Sequence, residues 1–407
     1  MAIEIRAARE DELAKVHDVV ALSFNGDRSE QGRQGFMHVE KMAHPTVLLE
    51  NGKIVASLRV YDFVTRVNGA EIPMGGVSSV SCYPEHRRKG YVGKLLIDAM
   101  AKMRDKGQPL SALYTPHPSL YRKFGYMTAA TNVRYEWKPK AVRPYNKARP
   151  AGKAIRVGEG DWRVLEQVYD RASGRRTGSI KRTEALWRES VFRRFYDPER
   201  KLKDVTVWYG VSGEPEGYAT YTSQRVTGPV GGDKTLLWVA EFQALTSDAY
   251  VGLLRYILSH DLNDEIYWYG PIDDPLALAV DDAMNLKREV VDDYMLRVID
   301  VVMAIAGRPA GAGASEGTFT IGIEDETCPW NSGSWEIENA GGRLTATKGG
   351  TPDLSMEAAT FAAVYDGHLR ASDAVRSGLA EATASADLAL ADRVLASDYP
   401  PNGSDFF

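Results

Sequence analysis

A run of basic side chains stands directly in front of a predicted helix in the stretch "EHRRKGYVGKLL", residues 85–96. After Gly90 the apolar residues Val92, Leu95 and Leu96 recur at helical spacing, so a helix should begin near residue 90. The first turn of a helix offers unpaired N–H groups and the positive end of the helix dipole, which attract anions. That dipole disfavours each nearby basic side chain by about 0.3–1 kcal/mol unless an anion lies between them. The stretch therefore predicts a loop that binds a diphosphate, with Gly90 allowing the backbone to approach it.

The loop matches neither of two common nucleotide-binding motifs, G-x-x-x-x-G-K-[ST] and G-x-G-x-x-G. The alternative interpretation is a solvated run of charges before a helix, which the unfavourable dipole argues against. None of the seven histidines has metal-ligand spacing, so we expect no metal site.

The composition is that of a folded protein, because 44% of the 407 residues are hydrophobic and 26% are charged. The length corresponds to about three domains. A net charge of −5 gives no indication of a nucleic-acid-binding surface, and two cysteines form no disulfide framework. No apolar run approaches the roughly 18–20 residues of a membrane span. We expect a cytoplasmic protein that binds neither nucleic acid nor a membrane.

The order of predicted elements divides the chain into units that must position the loop. Residues 1–140 alternate strand and helix patterns, with hairpin turns at Asn51-Gly52 and Asn68-Gly69. A basic, proline-rich linker over 141–153 follows. Residues 154–298 repeat the element order of the first unit, and a third pattern occupies 299–407.

The loop and its surroundings resemble the acetyl-CoA site of GNAT acetyltransferases. Arg87, Gly90 and Val92 fill the pattern [QR]-x-x-G-x-[GA], except that valine replaces the last small residue and a glycine follows at Gly93. The strand "LSALYTP" and the segment "LYRKFGY", which contains Tyr121, come next at the expected distance. The motif alone is moderately specific, and the combination is strong.

The whole chain resembles the enhanced intracellular survival (Eis) family. The resemblance implies an α/β (α+β) fold class, with tandem GNAT folds followed by a sterol-carrier-protein-like α/β domain. Residues 1–140 would be the GNAT domain with the acetyl-CoA site, 154–298 a second GNAT-like domain without the cofactor motif, and 299–407 the sterol-carrier-like domain that ends at the active site. In the second unit Asp248 at the corresponding helix start would repel a diphosphate.

By this resemblance acetyl-CoA is the co-substrate, with no metal. Main-chain groups of the strand before the loop would hold the pantetheine arm and the thioester, and the loop and first helical turn would hold the pyrophosphate. The cofactor-binding residues so implied are Val80, Ser81, Cys82, Arg87, Arg88, Lys89, Gly90, Tyr91 and Gly93.

Two residues are candidates for proton transfer. Tyr121 is the expected general acid, because a phenol with a pKa near ~10 is protonated at neutral pH and can donate to a departing thiolate. The alternative for Tyr121 is packing in the core. The chain ends in Phe406-Phe407, although termini are usually polar, which predicts that this end docks into the body. The resemblance implies that the carboxylate of Phe407 acts as base through a water; the alternative is a hydrophobic anchor.

The resemblance implies amine acetylation on polycationic small molecules such as aminoglycosides, at several positions, or on protein lysines. Phe24, Asp27, Phe36 and Asp405 are the candidate substrate-binding residues. The family also implies a homo-oligomer, a hexamer. The alternative from another class is a non-catalytic protein that binds CoA or lipid.

Overall fold

The computed structural model describes residues 2–40, 43–147, 149–193, 201–227 and 232–407. It contains three β-sheets, of seven, seven and five strands, with helices packed on their faces. Within these residues no helix is long and apolar enough to cross a bilayer.

The first sheet begins with a meander of four antiparallel strands. Its early elements are β1 (Ile3–Ala7), α1 (Leu13–Phe24), α2 (Glu30–Glu40), β2 (Thr46–Glu50), β3 (Lys53–Val67) and β4 (Ala70–Cys82). The turns at Asn51-Gly52 and Asn68-Gly69 have positive φ at both residues, as two-residue hairpins require, and this prediction is confirmed.

A helical crossover follows β4 and returns the chain parallel to it. The elements are α3 (Tyr91–Asp105), β5 (Leu110–Leu113), α4 (Pro118–Arg122), β6 (Met127–Thr128) and β7 (Thr131–Trp137). Helix α3 starts at the predicted place and buries Leu95, Leu96, Ala99 and Met103 against the sheet, because these residues share one face.

The second sheet repeats the pattern of the first. Its elements are β8 (Gly152–Arg156), α5 (Trp162–Ser173), α6 (Glu184–Leu186) with the π-helical turn Trp187–Val191, β9 (Asp204–Gly210), β10 (Pro215–Thr227), β11 (Asp233–Ala244), α7 (Ser247–Leu258), β12 (Glu265–Pro271), α8 (Leu276–Ala279), β13 (Lys287–Asp292) and β14 (Met295–Val298). Strands β8 to β11 form the antiparallel meander, and α7 is the crossover to β12, which pairs parallel to β11.

The two sheets exchange a strand. The first has the order β1-β2-β3-β4-β5-β14-β6 and the second the order β8-β9-β10-β11-β12-β7-β13. Strand β7, which the sequence analysis counted in the first unit, lies in the second sheet, and β14 returns to the first. Each of these strands is the sixth strand of the other unit's sheet, so the two units are interlocked. The proposed domain boundaries at 140 and 298 stay predictions.

The third unit packs on the first sheet. It comprises α9 (Val301–Gly307), β15 (Gly317–Glu324), β16 (Gly333–Ala340), β17 (Arg343–Lys348), β18 (Leu354–Glu357), α10 (Ala358–Asp366), α11 (Ala371–Arg376), β19 (Ala380–Ala382) and α12 (Leu388–Val394). All nine residues of α10 are buried, and its Phe361 belongs to one hydrophobic cluster with Tyr61 and Phe63 of β3. Residues 395–407, here called the C-terminal tail, then run back toward the first sheet with no further helix or strand in this described segment.

Candidate active site

The first sheet opens between β4 and β5. The two strands pair only at Met74–Leu110, Gly75–Ser111 and Gly76–Ala112. Among the described strands, β4 continues beyond Gly76 beside β3 alone, and Ser79, with a φ of 52°, makes a bulge where the register shifts. The β5-facing edge of the last residues of β4 therefore borders a gap, here called the strand split, where an extended ligand can pair with the main chain.

The predicted basic loop lies at the end of β4 beside the strand split. Arg87, Arg88, Lys89 and Gly90 are exposed, and Gly90 stands at the N-terminal boundary of α3 with a φ of 78°. A Cβ placed on Gly90 would meet open space, so the glycine is required by its backbone conformation and leaves room for a ligand. Arg87 Nε donates to the Cys82 carbonyl over 3.2 Å, which ties the loop to β4.

A buried carboxylate lies beneath the loop. Glu50, at the end of β2, accepts a hydrogen bond from the Tyr91 hydroxyl and lies 2.6 Å from His86 Nδ1 and 3.5 Å from Lys89 Nζ. The hydrogen bond from Tyr91 is the main reason why the pKa of Glu50 is lowered. Lys89 and Tyr91 thus face Glu50, and Arg87 and Arg88 are the remaining basic side chains of the loop.

Two of the residues predicted to hold the cofactor have packing roles behind the loop. Tyr91 is buried under it, and Gly93 lies against the Phe124 ring, which a Cβ on Gly93 would meet at 2.9 Å. Ser81 is buried with its hydroxyl 2.8 Å from that of Ser57, so it too offers only its main chain to the strand split.

Tyr121 lies on the α3 side of the first sheet. It is almost fully buried in α4, in one cluster with Cys82 and Leu113, and its ring meets Tyr126 edge-on at 6.1 Å. Burial raises the pKa of Tyr121 to about 12, so its hydroxyl is protonated at neutral pH. The neighbouring Tyr126 differs, because its hydroxyl lies 2.8 Å from Ser111 Oγ within the core.

The end of the chain reaches the strand split from the opposite side. Phe407 is 7% exposed and packs on Phe63 and Tyr114, at ring distances of 4.8 and 5.2 Å. A Cβ on Gly76 would lie 2.9 Å from the Phe407 ring, whereas one on Gly75 would strike Met103 of α3. Phe407 and Tyr121 therefore approach the split from opposite faces of the sheet. For the predicted docking of the Phe-Phe end, Phe407 is buried whereas Phe406 is 59% exposed.

Asp405 does not face an open site. It is 7% exposed and lies 2.7 Å from Arg182 Nε, and Arg182 also forms a two-pronged pair with Glu241 at 2.9 and 3.0 Å. The Asp405 carboxylate is therefore already paired inside the protein, and its predicted role in substrate binding stays a prediction.

The other three candidate substrate residues lie at the α1–α2 corner, which touches the end of β4 through a 3.4 Å hydrogen bond from Ser23 to the Cys82 carbonyl. Phe24 is 57% exposed at the end of α1. The Asp27 carboxylate accepts two 2.7 Å hydrogen bonds from Ser29, which lower its pKa. Phe36 lies under the Arg59 guanidinium at 4.2 Å.

The sequence analysis missed several residues that shape this site: Glu50, Gly76, Arg182 and Glu241. Gly76 alone carried a signal, because a glycine inside a strand often marks a close approach of another group.

The second unit differs at the place that corresponds to the basic loop. Thr246 caps α7 by accepting from the Ala249 N–H over 3.1 Å, and Asp248 lies in the first turn. The start of α7 is therefore capped by a side chain of the protein itself.

Comparison with known proteins gives the same three-part division. A family model described as an acetyltransferase (GNAT) domain matches residues 4–129, another with the same description matches 178–298, and a sterol carrier protein domain matches 301–402. The mixed α/β fold class, with two GNAT domains and a sterol-carrier-like domain, is confirmed.

Curated relatives cover most of the chain. An uncharacterized N-acetyltransferase of Streptomyces coelicolor is 26% identical over 84% of this chain and 83% of its own. The N-acetyltransferase Eis of Mycobacterium tuberculosis is 24% identical over 81% of this chain and 79% of its own.

Solved structures share the complete fold. A GCN5-related N-acetyltransferase from Anabaena variabilis has a TM-score of 0.88 at 20% identity, and Eis1 from Mycobacterium abscessus has 0.80 at 23% identity, each covering 100% of both chains. With domain order and relatives in agreement over most of its length, the chain belongs to the Eis-like family of GNAT N-acetyltransferases.

Proposed function

We propose that this N-acetyltransferase moves the acetyl group of acetyl-CoA to primary amines of polycationic small molecules such as aminoglycosides, at more than one position. The observation that carries the proposal is the strand split, with a basic loop at its end and with Tyr121 and the chain terminus on its two faces. Acetylation of protein lysines is the second candidate, because the same chemistry serves any primary amine.

The chain offers suitable groups for each part of acetyl-CoA. The pantetheine arm is an extended amide chain, and the edge of β4 at Val80, Ser81 and Cys82 presents main-chain groups in the gap beside β5. The diphosphate suits Arg87, Arg88 and the first N–H groups of α3, where Gly90 leaves space. Lys89 adds positive charge while it is paired with Glu50.

The transfer forms an N–C bond and breaks the C–S bond of the thioester. Main-chain N–H groups of β4 near the carbonyl oxygen would stabilise the tetrahedral oxyanion. The Tyr121 hydroxyl donates its proton to the departing thiolate from the α3 side of the sheet. From the other face, the Phe407 carboxylate orients the amine and accepts its proton through a water; with a pKa near ~3.5 it is a weak base.

Charge at the end of the tail favours a cationic acceptor. The terminal carboxylate belongs to Phe407, which packs against Gly76 at the strand split. Its negative charge would attract an ammonium group, whereas an anionic acceptor would be repelled.

The test follows release of free CoA thiol from acetyl-CoA with aminoglycosides, polyamines and lysine peptides offered separately, and mass spectrometry counts the acetyl groups added. The variants are Tyr121→Phe and a chain that lacks Phe407, with Tyr126→Phe as the matched control inside the core. We expect turnover with aminoglycosides, multiple acetylation, and a drop of about 10²-fold or more in Tyr121→Phe.

Turnover with lysine peptides alone would favour the second candidate. Tight binding of acetyl-CoA without release for any amine would contradict the proposed activity. Loss of activity in Tyr121→Phe but not in the truncated chain would reduce Phe407 to an anchor.

A further inference from the structure

The C-terminal tail contacts all three units, and its residues 400–405 are held by the second unit and by the segment before β14. The Asn402 N–H donates to the Thr177 carbonyl over 2.9 Å, and Arg176 Nη1 donates to the Pro400 carbonyl over 3.0 Å. The Gly403 N–H donates to the Asp293 carboxylate over 2.8 Å. We call residues 176–182, Glu241 and Asp293 the tail socket.

The deepest contact in the tail socket is a buried ionic triad. The side chain of Arg182 is 1% exposed and those of Glu241 and Asp405 are each 7% exposed. The Arg182 guanidinium uses Nε for Asp405 and both terminal nitrogens for Glu241 of β11, and it lies over the rings of Tyr169 and Trp187 at 4.0 and 4.6 Å. Arg182 thus joins the second sheet to the tail.

Asp405, the tail residue of the triad, lies two residues before Phe407. Burial alternates along the last residues, since Asp405 and Phe407 are buried whereas Phe406 is 59% exposed. This period of two is that of an extended chain, so the position of Asp405 determines how far Phe407 reaches. Phe407 in turn ends against Gly76, at the last paired residue before the strand split.

We propose that the second GNAT unit, whose own helix start is capped, serves as the socket for the C-terminal tail, and that Arg182 is a positioning residue that holds the Phe407 carboxylate at the strand split through Asp405. This inference rests on the proposed function, because it assigns the terminal carboxylate a task in the transfer. Loss of the Arg182 charge leaves the carboxylates of Asp405 and Glu241 buried without a counter-ion. Loss of the Asp405 charge removes the charge-assisted hydrogen bond from Arg182 Nε and leaves Arg182 paired with Glu241 alone. Either change weakens the hold on the tail end.

The test combines a readout of tail position with steady-state kinetics. Carboxypeptidase A removes C-terminal aromatic residues, and mass spectrometry of the intact chain gives the rate at which Phe407 is lost. The variants are Asp405→Asn and Arg182→Gln, each of which removes one charge and keeps partial hydrogen bonding. The matched control is Asp398→Asn, the same change at the other ion pair of the tail, with Arg175.

We expect Phe407 to be lost at least about tenfold faster in both variants than in the parent and in Asp398→Asn. The kcat for the amine should fall by a similar factor, while the Kd for acetyl-CoA stays within about twofold because its site is separate. The unchanged Kd also shows that the variants are folded.

Equal protection of Phe407 in the parent and in both variants would overturn the socket. Fast loss of Phe407 with unchanged kcat would overturn the positioning role. If the parent acetylates no amine, the proposed function fails, and protection of Phe407 in the parent with its loss in the variants would still support the socket.

Discussion

Side chains of the basic loop divide into two groups that the sequence presents as one run. His86, Lys89 and Tyr91 converge on Glu50, whereas Arg87 and Arg88 are exposed basic residues, with Arg87 Nε bound to the Cys82 carbonyl. Backbone conformation completes the arrangement, because Arg88 and Gly90 both have positive φ, at 63° and 78°. The loop thus contains residues that fix its shape and residues that expose positive charge.

Gly90→Ala should weaken acetyl-CoA binding, measured by calorimetry. An alanine at a φ of 78° also costs about 1–2 kcal/mol of folding free energy. Gly52→Ala is the matched control, since Gly52 has a φ of 79° in a hairpin and open space around its Cβ position. We expect similar losses of stability in both variants but weaker binding only in Gly90→Ala. Equal affinities in the two variants would contradict the assigned role of Gly90.

The rate should not decline at alkaline pH because of Tyr121. Burial raises the pKa of Tyr121 to about 12, so the phenol keeps its proton at every pH below that value. A plot of kcat against pH should therefore show no falling limb between about pH 7 and 10. A falling limb in that window that disappears in Tyr121→Phe would show that the phenol loses its proton much earlier.

The units are joined by the exchange of strands β7 and β14 as well as by side-chain packing. Strand β14 completes the first sheet, and its Arg297 pairs at 2.6 Å with Asp325, which follows β15 of the third unit. Both side chains are 1% exposed, and Gly125 lies so close that a Cβ would meet the guanidinium at 2.7 Å. The third unit is thereby joined to the sheet that carries the candidate active site.

Asp325→Ala should destabilise the protein by about 3–5 kcal/mol, because it leaves a buried guanidinium without its counter-ion. Chemical denaturation measures the change in the free energy of unfolding. The control is Glu71→Ala, which removes a half-exposed pair with Lys181 and should cost less than about 1 kcal/mol. Similar effects for the two variants would mean that the Arg297–Asp325 pair contributes no more than a surface pair.

The end of the chain leaves the third unit, runs along the second unit and ends at the sheet of the first unit. The tail leaves α12 and passes the tail socket, and Phe407 ends in a cluster that also contains Tyr61 of β3 and Phe361 of α10. All three units therefore contribute to the region around the strand split, although the basic loop and Tyr121 belong to the first.

Stability should depend on pH through Asp293, which accepts from the Gly403 N–H of the tail. Burial raises the pKa of Asp293 from 3.8 to about 7. The neutral form is favoured in the folded state, so its stabilising contribution is complete below pH 3.8 and is lost as the pH rises through about 7. Asp293→Asn mimics the neutral form and should raise Tm at pH 8 more than at pH 5.

The comparison of parent and Asp293→Asn at each pH isolates this group from Asp366, whose pKa burial also raises to about 7. A Tm difference that is constant from pH 4 to pH 8, or that shrinks as the pH rises, would contradict the assignment.

The sequence by itself determined the features that depend on neighbouring residues. Hairpin turns at Asn51-Gly52 and Asn68-Gly69, the start of α3 at Gly90 and the strand–helix order follow from local backbone preferences and from the spacing of apolar residues. The aromatic end likewise predicted docking, which the structure shows for Phe407 but not for the mostly exposed Phe406.

Only the tertiary structure decided which distant groups meet. Strands β7 and β14 fill equivalent positions in each other's sheets, and strand pairing leaves no local mark of its partner. The sequence analysis made Asp405 a candidate substrate-binding residue, yet it is buried beside Arg182, 223 residues away. Contacts at such separations are selected by the packing of whole units, and no periodicity in a short window carries that information.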